Sequence, residues 1–139
     1  MGGNAFPELN TIRLNRNEYN IFSYNVLSIL SEKFPLTIFR KIESYHTKES
    51  FGDLDLLWCG NQLNEFDVSL ALNSKGVFNN GPVVSYAVPY EQNNTSDGVF
   101  QVDLICVKPQ HLDSAFSYFA YNDLGNLLGR IFHRAGFKL

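Results

Sequence analysis

The run Asp53-Leu54-Asp55-Leu56-Leu57 constrains this chain more than any other stretch. In an extended strand alternate side chains share a face, so the two carboxylates project one way while Leu54 and Leu56 project the other, into a core. The run therefore asks for a sheet with one packed face and two like charges side by side on its other face. A cation relieves that repulsion, and hard oxygen ligands suit Mg²⁺ or Mn²⁺ better than softer metals. A lone Asp-x-Asp pair is more often a wetted strand face than a metal site. Here a third acid follows the same pattern: Phe100-Gln101-Val102-Asp103-Leu104-Ile105 places Asp103 in a second apolar alternation, predicted to lie beside the first. Three converging carboxylates can hold two divalent ions about 3.5–4 Å apart, an arrangement suited to in-line phosphoryl displacement.

The rest of the chain is predicted to supply that sheet and its cover. Over residues 17–34 the apolar Tyr19, Phe22, Val26, Ile29 and Leu30 recur at helical spacing, and Pro35 ends the helix. Strands are predicted over 36–42, 53–59, 66–72, 83–88 and 99–107, with a polar loop over 43–52, a turn at Asn79-Asn80-Gly81-Pro82 and a loop over 91–98. After Pro109 the helical period returns. Leu112, Ala115, Phe116 and Phe119 mark one helix and Leu124, Leu128, Ile131 and Ala135 another, with Asn122 as N-cap and Asp123 at the positive helix end. Helix, mostly antiparallel strands and then helices make an α+β plan with one sheet face covered.

Composition narrows the function classes. With 45% apolar and 18% charged residues over 139 positions, the chain suits one compact domain and not a disordered or repetitive one. No apolar run approaches the roughly 20 residues of a membrane span, and MGGNAFPELN lacks a secretory signal pattern, so a cytoplasmic location is expected. Cys59 and Cys106 sit singly in apolar runs and read as buried free thiols, which leaves the sequon Asn93-Asn94-Thr95 idle. Eleven Lys and Arg against 14 Asp and Glu give a net charge of -3, unlike a stand-alone duplex-DNA binder. Lys108, Arg130, Arg134 and Lys138 make the C-terminal third more basic, so it can still meet phosphates. His111 and His133 have no spaced partners and read as surface residues, and Trp58 reads as core.

These residues also carry a family resemblance. Glu49-Ser50-Phe51-Gly52-Asp53-Leu54-Asp55-Leu56-Leu57 resembles the start of the catalytic strand in family X DNA polymerases, the DNA polymerase beta-like branch of the nucleotidyltransferase superfamily. Val102-Asp103-Leu104, Tyr118-Phe119-Ala120-Tyr121-Asn122-Asp123, Asn126 and Arg130 resemble the same enzymes without a gap, and the helix over 17–34 with its following strand extends the likeness over nearly the whole chain. The resemblance implies a palm over residues 1–121 and the start of a thumb over 122–139, which a further segment or a partner chain would complete. It implies that Asp53, Asp55 and Asp103 hold two Mg²⁺ ions, or Mn²⁺, with Asp103 helping to deprotonate an attacking 3′-hydroxyl. Gly52 would offer its backbone N–H to the phosphates. Arg13 falls near the family's triphosphate-binding arginine. Tyr118 and Phe119 resemble the aromatic pair beside the sugar, Asp123 and Asn126 resemble residues flanking the incoming base, and Arg130 would touch the template or the nucleic-acid minor groove. On residue pattern alone, Phe119 also fits an apolar helix face.

The departures bear on substrate. Where the family has a Gly-Ser pair upstream of the double Asp, this chain reads Ile42-Glu43-Ser44-Tyr45-His46-Thr47-Lys48, so Ser44, His46 and Lys48, or the Gly2-Gly3-Asn4 segment, are the candidates for the phosphate grip. Tyr121-Asn122 replaces the family's Gly-Ser beside the sugar, which opens the choice between ribose and deoxyribose. The family's lyase domain has no counterpart here. The expected activity is transfer of a nucleoside monophosphate from an NTP or dNTP to a DNA, RNA or tRNA 3′ end, releasing pyrophosphate. Modification of a protein or small molecule is the alternative enzyme, and a catalytically idle nucleotide-binding module that needs a partner is the alternative outside the enzymes.

Overall fold

Asn15 starts the first helix because its side chain accepts from the Glu18 N–H while Glu18 reaches back to the Asn15 N–H, each bond 2.8 Å long. This capping box belongs to a computed structural model that describes residues 4–44, 47–60, 63–92 and 95–111. The elements are β1 (Leu14–Asn15), α1 (Arg16–Lys33), β2 (Thr37–Lys41), β3 (Ser50–Phe51), β4 (Asp53–Gly60), α2 (Glu65–Leu72), β5 (Val77–Asn80), β6 (Val83–Gln92) and β7 (Thr95–Cys106), then a 3₁₀ turn at Pro109–His111. The helices predicted after residue 111, with their Asn122 cap, lie outside the described residues, as does the whole 122–139 segment.

The described chain is α+β. A mixed five-stranded sheet runs β2-β4-β7-β6-β5, and β1 pairs with β3 in a small antiparallel ribbon. β4 and β7 are parallel neighbours at the centre, and every other pairing in the large sheet is antiparallel. One face of the sheet packs on both helices. Leu54 and Leu56 of β4, Val102 and Leu104 of β7 and Tyr86 of β6 meet Tyr19, Phe22, Val26 and Leu30 of α1 and Val68 and Leu72 of α2. Each such apolar side chain contributes about 1.5–3 kcal/mol by leaving water.

Three parts of the sequence reading change. Residues 66–72 form α2 and not a strand: Phe66, Val68, Leu70 and Leu72 alternate, yet the Asn64 side chain accepts from the Phe66 and Asp67 N–H groups and caps a helix. Val68 and Leu72, four residues apart, face the core, while Phe66 and Leu70 are exposed. Asn73 in the left-handed region (φ 54) ends the helix. Second, residues 43–52 are not all loop, because Ser50 and Phe51 pair with Asn15 and Leu14, and Phe51 is fully buried against Tyr19, their rings stacked at 3.9 Å. Third, Asn79 and Asn80 belong to β5, so the turn narrows to Gly81-Pro82, with Gly81 at φ 62 as a two-residue hairpin requires. β6 and β7 likewise extend into the predicted 91–98 loop.

Smaller differences follow from partial burial. Ile29 is largely exposed, because the α1 stripe that packs is Tyr19, Phe22, Val26 and Leu30. Trp58 is half-buried against the core. Cys59 is buried and Cys106 only partly so; burial, then the neighbouring Cys59, pushes the Cys106 thiol pKa up. His111 is exposed. No helix among the described residues is long and apolar enough to cross a membrane.

Candidate metal centre

The parallel pairing of β4 with β7 sets Asp55 opposite Asp103 and Asp53 opposite Gln101, while β6 sets Ser85 opposite Asp103 from its other side. Strand parity then puts all five side chains on the sheet face away from α1 and α2. Asp53, Asp55 and Asp103 each bring a carboxylate oxygen to within 4.8 Å of the others. Asp103, Gln101 and Ser85 are buried. The Gln101 amide donates to both Asp103 oxygens at 2.9 and 3.1 Å, and Ser85 hydrogen-bonds Asp103 as well.

Three acids this close cannot all be charged cheaply. Burial, then the charges of Asp53 and Asp103, raises the Asp55 pKa well above the usual carboxylate range, with only the Lys48 charge pulling down. Burial raises Asp103 too, but its bonds from Ser85, Gln101 and Asp55 offset part of that. Asp55 Oδ1 is buried and has no hydrogen-bond partner, a state that a cation would satisfy. An all-carboxylate donor set with an orphaned oxygen fits Mg²⁺ or Mn²⁺.

Basic side chains gather around β3 and Tyr19, and the Lys48 charge reaches Asp55. Arg13 donates to Ser50 Oγ at 2.7 Å and to the Ser50 carbonyl at 3.2 Å, and Arg16 donates to the Lys48 carbonyl at 2.6 Å. The Arg16 guanidinium and the Lys48 ammonium lie over the Phe51 ring, 5.3 and 5.1 Å from its centroid, and Lys41 lies over Tyr19 at 5.0 Å. Burial, then the charges of Asp55 and Asp53, holds the Tyr19 phenol protonated well above its usual range. Gly52, between Phe51 and Asp53, is buried at the bend that joins this basic rim to β4.

Among the sequence-predicted residues, the fold thus brings together Asp53, Asp55 and Asp103, with Gly52, Lys48 and Arg13 beside the adjoining β1–β3 ribbon. Ser44 is half-buried on the segment after β2. His46, Tyr118, Phe119, Asp123, Asn126 and Arg130 lie outside the described residues. Sequence reading missed Gln101, Ser85, Tyr19, Arg16 and Lys41. Gln101 was within reach, since it shares the parity of Asp103 on one strand; Ser85 needed the β6–β7 register, which no local pattern specifies. Neither a protein-family model nor a curated protein matches this chain.

Proposed function

We propose that this chain is a metal-dependent nucleotidyltransferase with a palm like that of family X DNA polymerases, transferring a nucleoside monophosphate from an NTP or dNTP to a nucleic-acid 3′ end. The observation that carries this reading is the convergence of Asp53, Asp55 and Asp103 on two parallel central strands with one carboxylate oxygen left unpartnered. Asp53, Asp55 and Asp103 would hold the divalent ions. Bound there, the ions would supply charge neutralisation at the transferring phosphoryl group. Arg13, Arg16 and Lys48, gathered around Ser50 and Phe51 just before Gly52 and Asp53, would supply the opposite charge to a triphosphate tail. Asp103 takes the proton of the acceptor hydroxyl as its oxygen bonds to the α-phosphorus; the bond from that phosphorus to the bridging oxygen breaks, and pyrophosphate leaves. The Tyr19 phenol stays neutral beside the acids, so it adds no further negative charge.

The net charge of -3 favours a second reading, in which the acceptor is a hydroxyl of a protein or small molecule. One experiment separates the two. The protein is incubated with Mg²⁺ or Mn²⁺, each labelled NTP and dNTP in turn, and single-stranded RNA, tRNA, primed DNA or a protein pool, with Asp103→Asn in parallel. Label on a nucleic-acid end, absent with the variant, is the expected result. Label on protein selects the second reading, and nucleotide binding without transfer to any acceptor contradicts both.

A further inference from the structure

The N-terminal segment crosses the same sheet face as the acids, and its placement is specified in detail. Phe6 is buried against Ala87 and Val99. The Ile12 N–H donates to the Val99 carbonyl at 3.0 Å and the Val99 N–H donates to the Asn10 carbonyl at 2.9 Å. Two glycines make room for it. A Cβ at Gly76 would lie 3.2 Å from the Phe6 ring, and one at Gly98, whose φ is +113, would lie 2.5 Å from the Asn10 carbonyl oxygen. At the head of this strap the Ala5 N–H donates to Gln101 Oε1 at 2.9 Å.

That last bond fixes which way the Gln101 amide faces. Its oxygen is committed to Ala5, so its NH₂ must turn toward Asp103, where it reaches both carboxylate oxygens. Turned over, the amide would set its oxygen against a carboxylate and leave the Ala5 N–H without its acceptor. We propose that residues 5–12, acting through Gln101, form a positioning clamp that fixes the Asp103 carboxylate for its metal. The clamp is built from neutral donors, so it orients Asp103 without cancelling the charge a cation needs. Gln101 is a positioning residue, of the kind whose loss weakens metal affinity while the ligands stay in place. The clamp rests on the reading of the three acids as a metal site.

Mn²⁺ affinity, followed by the loss of the free-ion electron-spin resonance signal, tests it in the full chain with thermal unfolding measured alongside. Gln101→Leu is expected to weaken Mn²⁺ binding by about 10–100-fold. Ala5→Pro, which deletes the N–H donor and leaves every site side chain in place, is expected to weaken it by up to about tenfold on the same mechanism. Leu72→Ala lowers Tm from the opposite face and leaves Mn²⁺ affinity unchanged, so affinity separates positioning from general destabilisation. Wild-type affinity in both Gln101→Leu and Ala5→Pro, with binding lost in Asp103→Asn, would overturn the clamp and keep the metal site. Wild-type affinity in Asp103→Asn as well would overturn the metal site beneath it. Should Gln101→Leu not fold, Ala5→Pro decides alone: weakened binding supports the clamp and unchanged binding overturns it.

Discussion

The two faces of the central sheet are made from the same strands at opposite parity, and they do opposite things. On one, Leu54, Leu56, Val102 and Leu104 vanish under α1 and α2. On the other, Asp53, Asp55 and Asp103 crowd together, and Asp55 keeps a buried oxygen with no partner. The first face gains stability from leaving water; the second spends some of it to hold three acids close together. Stability and chemistry are therefore separable here by one residue step along a strand, and substitutions one position apart should have unlike consequences.

The largest contrast is expected for Asp53→Asn and Asp103→Asn, which should lower nucleotidyl transfer by on the order of 10³-fold or more, because the acids act as a unit. Thermal unfolding of Asp53→Asn should stay near that of wild type, whereas Asp103→Asn turns one buried acceptor of the Gln101 amide into a donor and should lower Tm modestly. Next, Leu56→Ala, one step from Asp55, should cost about 2–5 kcal/mol in denaturant unfolding. At temperatures where it remains folded, it should bind Mn²⁺ as wild type does. Activity lost with Leu56→Ala at full folding, or stability lost with Asp53→Asn, would break the division between the faces.

The third effect is smaller and opposite in sign. The folded protein raises the Asp55 pKa, so it keeps a proton that the unfolded chain releases in the ordinary range near about 4. The protonated acid's favourable contribution is then present in full below that range, and it is lost as pH rises through the folded-state value. Metal-free protein should therefore lose stability as pH rises from about 4 toward neutrality, because folded Asp55 resists ionisation. Asp55→Asn should flatten that slope and stabilise the metal-free protein at neutral pH by on the order of 1 kcal/mol, while abolishing ion binding. Denaturant titrations between acid and neutral pH check both. Last, Leu70→Ser on the exposed side of α2 should change stability by no more than about 0.5 kcal/mol, whereas Val68→Ala should cost more than that, as unfolding curves of the pair would report.

The cluster of three acids was more legible in sequence than the fold around it. The alternation of Asp53 to Leu57 places both acids and both leucines correctly without any tertiary information, because strand parity is local. Asp103 follows from the same rule. Phe66 to Leu72 fails under that rule, since the residues also alternate, and a single capping side chain at Asn64 selects the helix. Phe51 was hidden in a polar stretch because its burial depends on pairing with Leu14, which is far away in sequence. Ser85 became a neighbour of Asp103 only through register, and the Gln101–Ala5 bond joins residues 96 positions apart. Contacts of that range leave no periodic trace.

The central claim is that the three acids form a divalent-ion site, and Mn²⁺ titration of the full chain tests it most directly when unfolding is followed at acid and neutral pH. Saturable binding, lost in Asp103→Asn, should raise stability by about 2.7 kcal/mol at neutral pH with the ion at a hundredfold excess over Kd, and the same ion concentration should give a smaller gain at acid pH, where protons compete for the carboxylates. No saturable binding by the wild-type chain, or equal binding by Asp103→Asn, would contradict it.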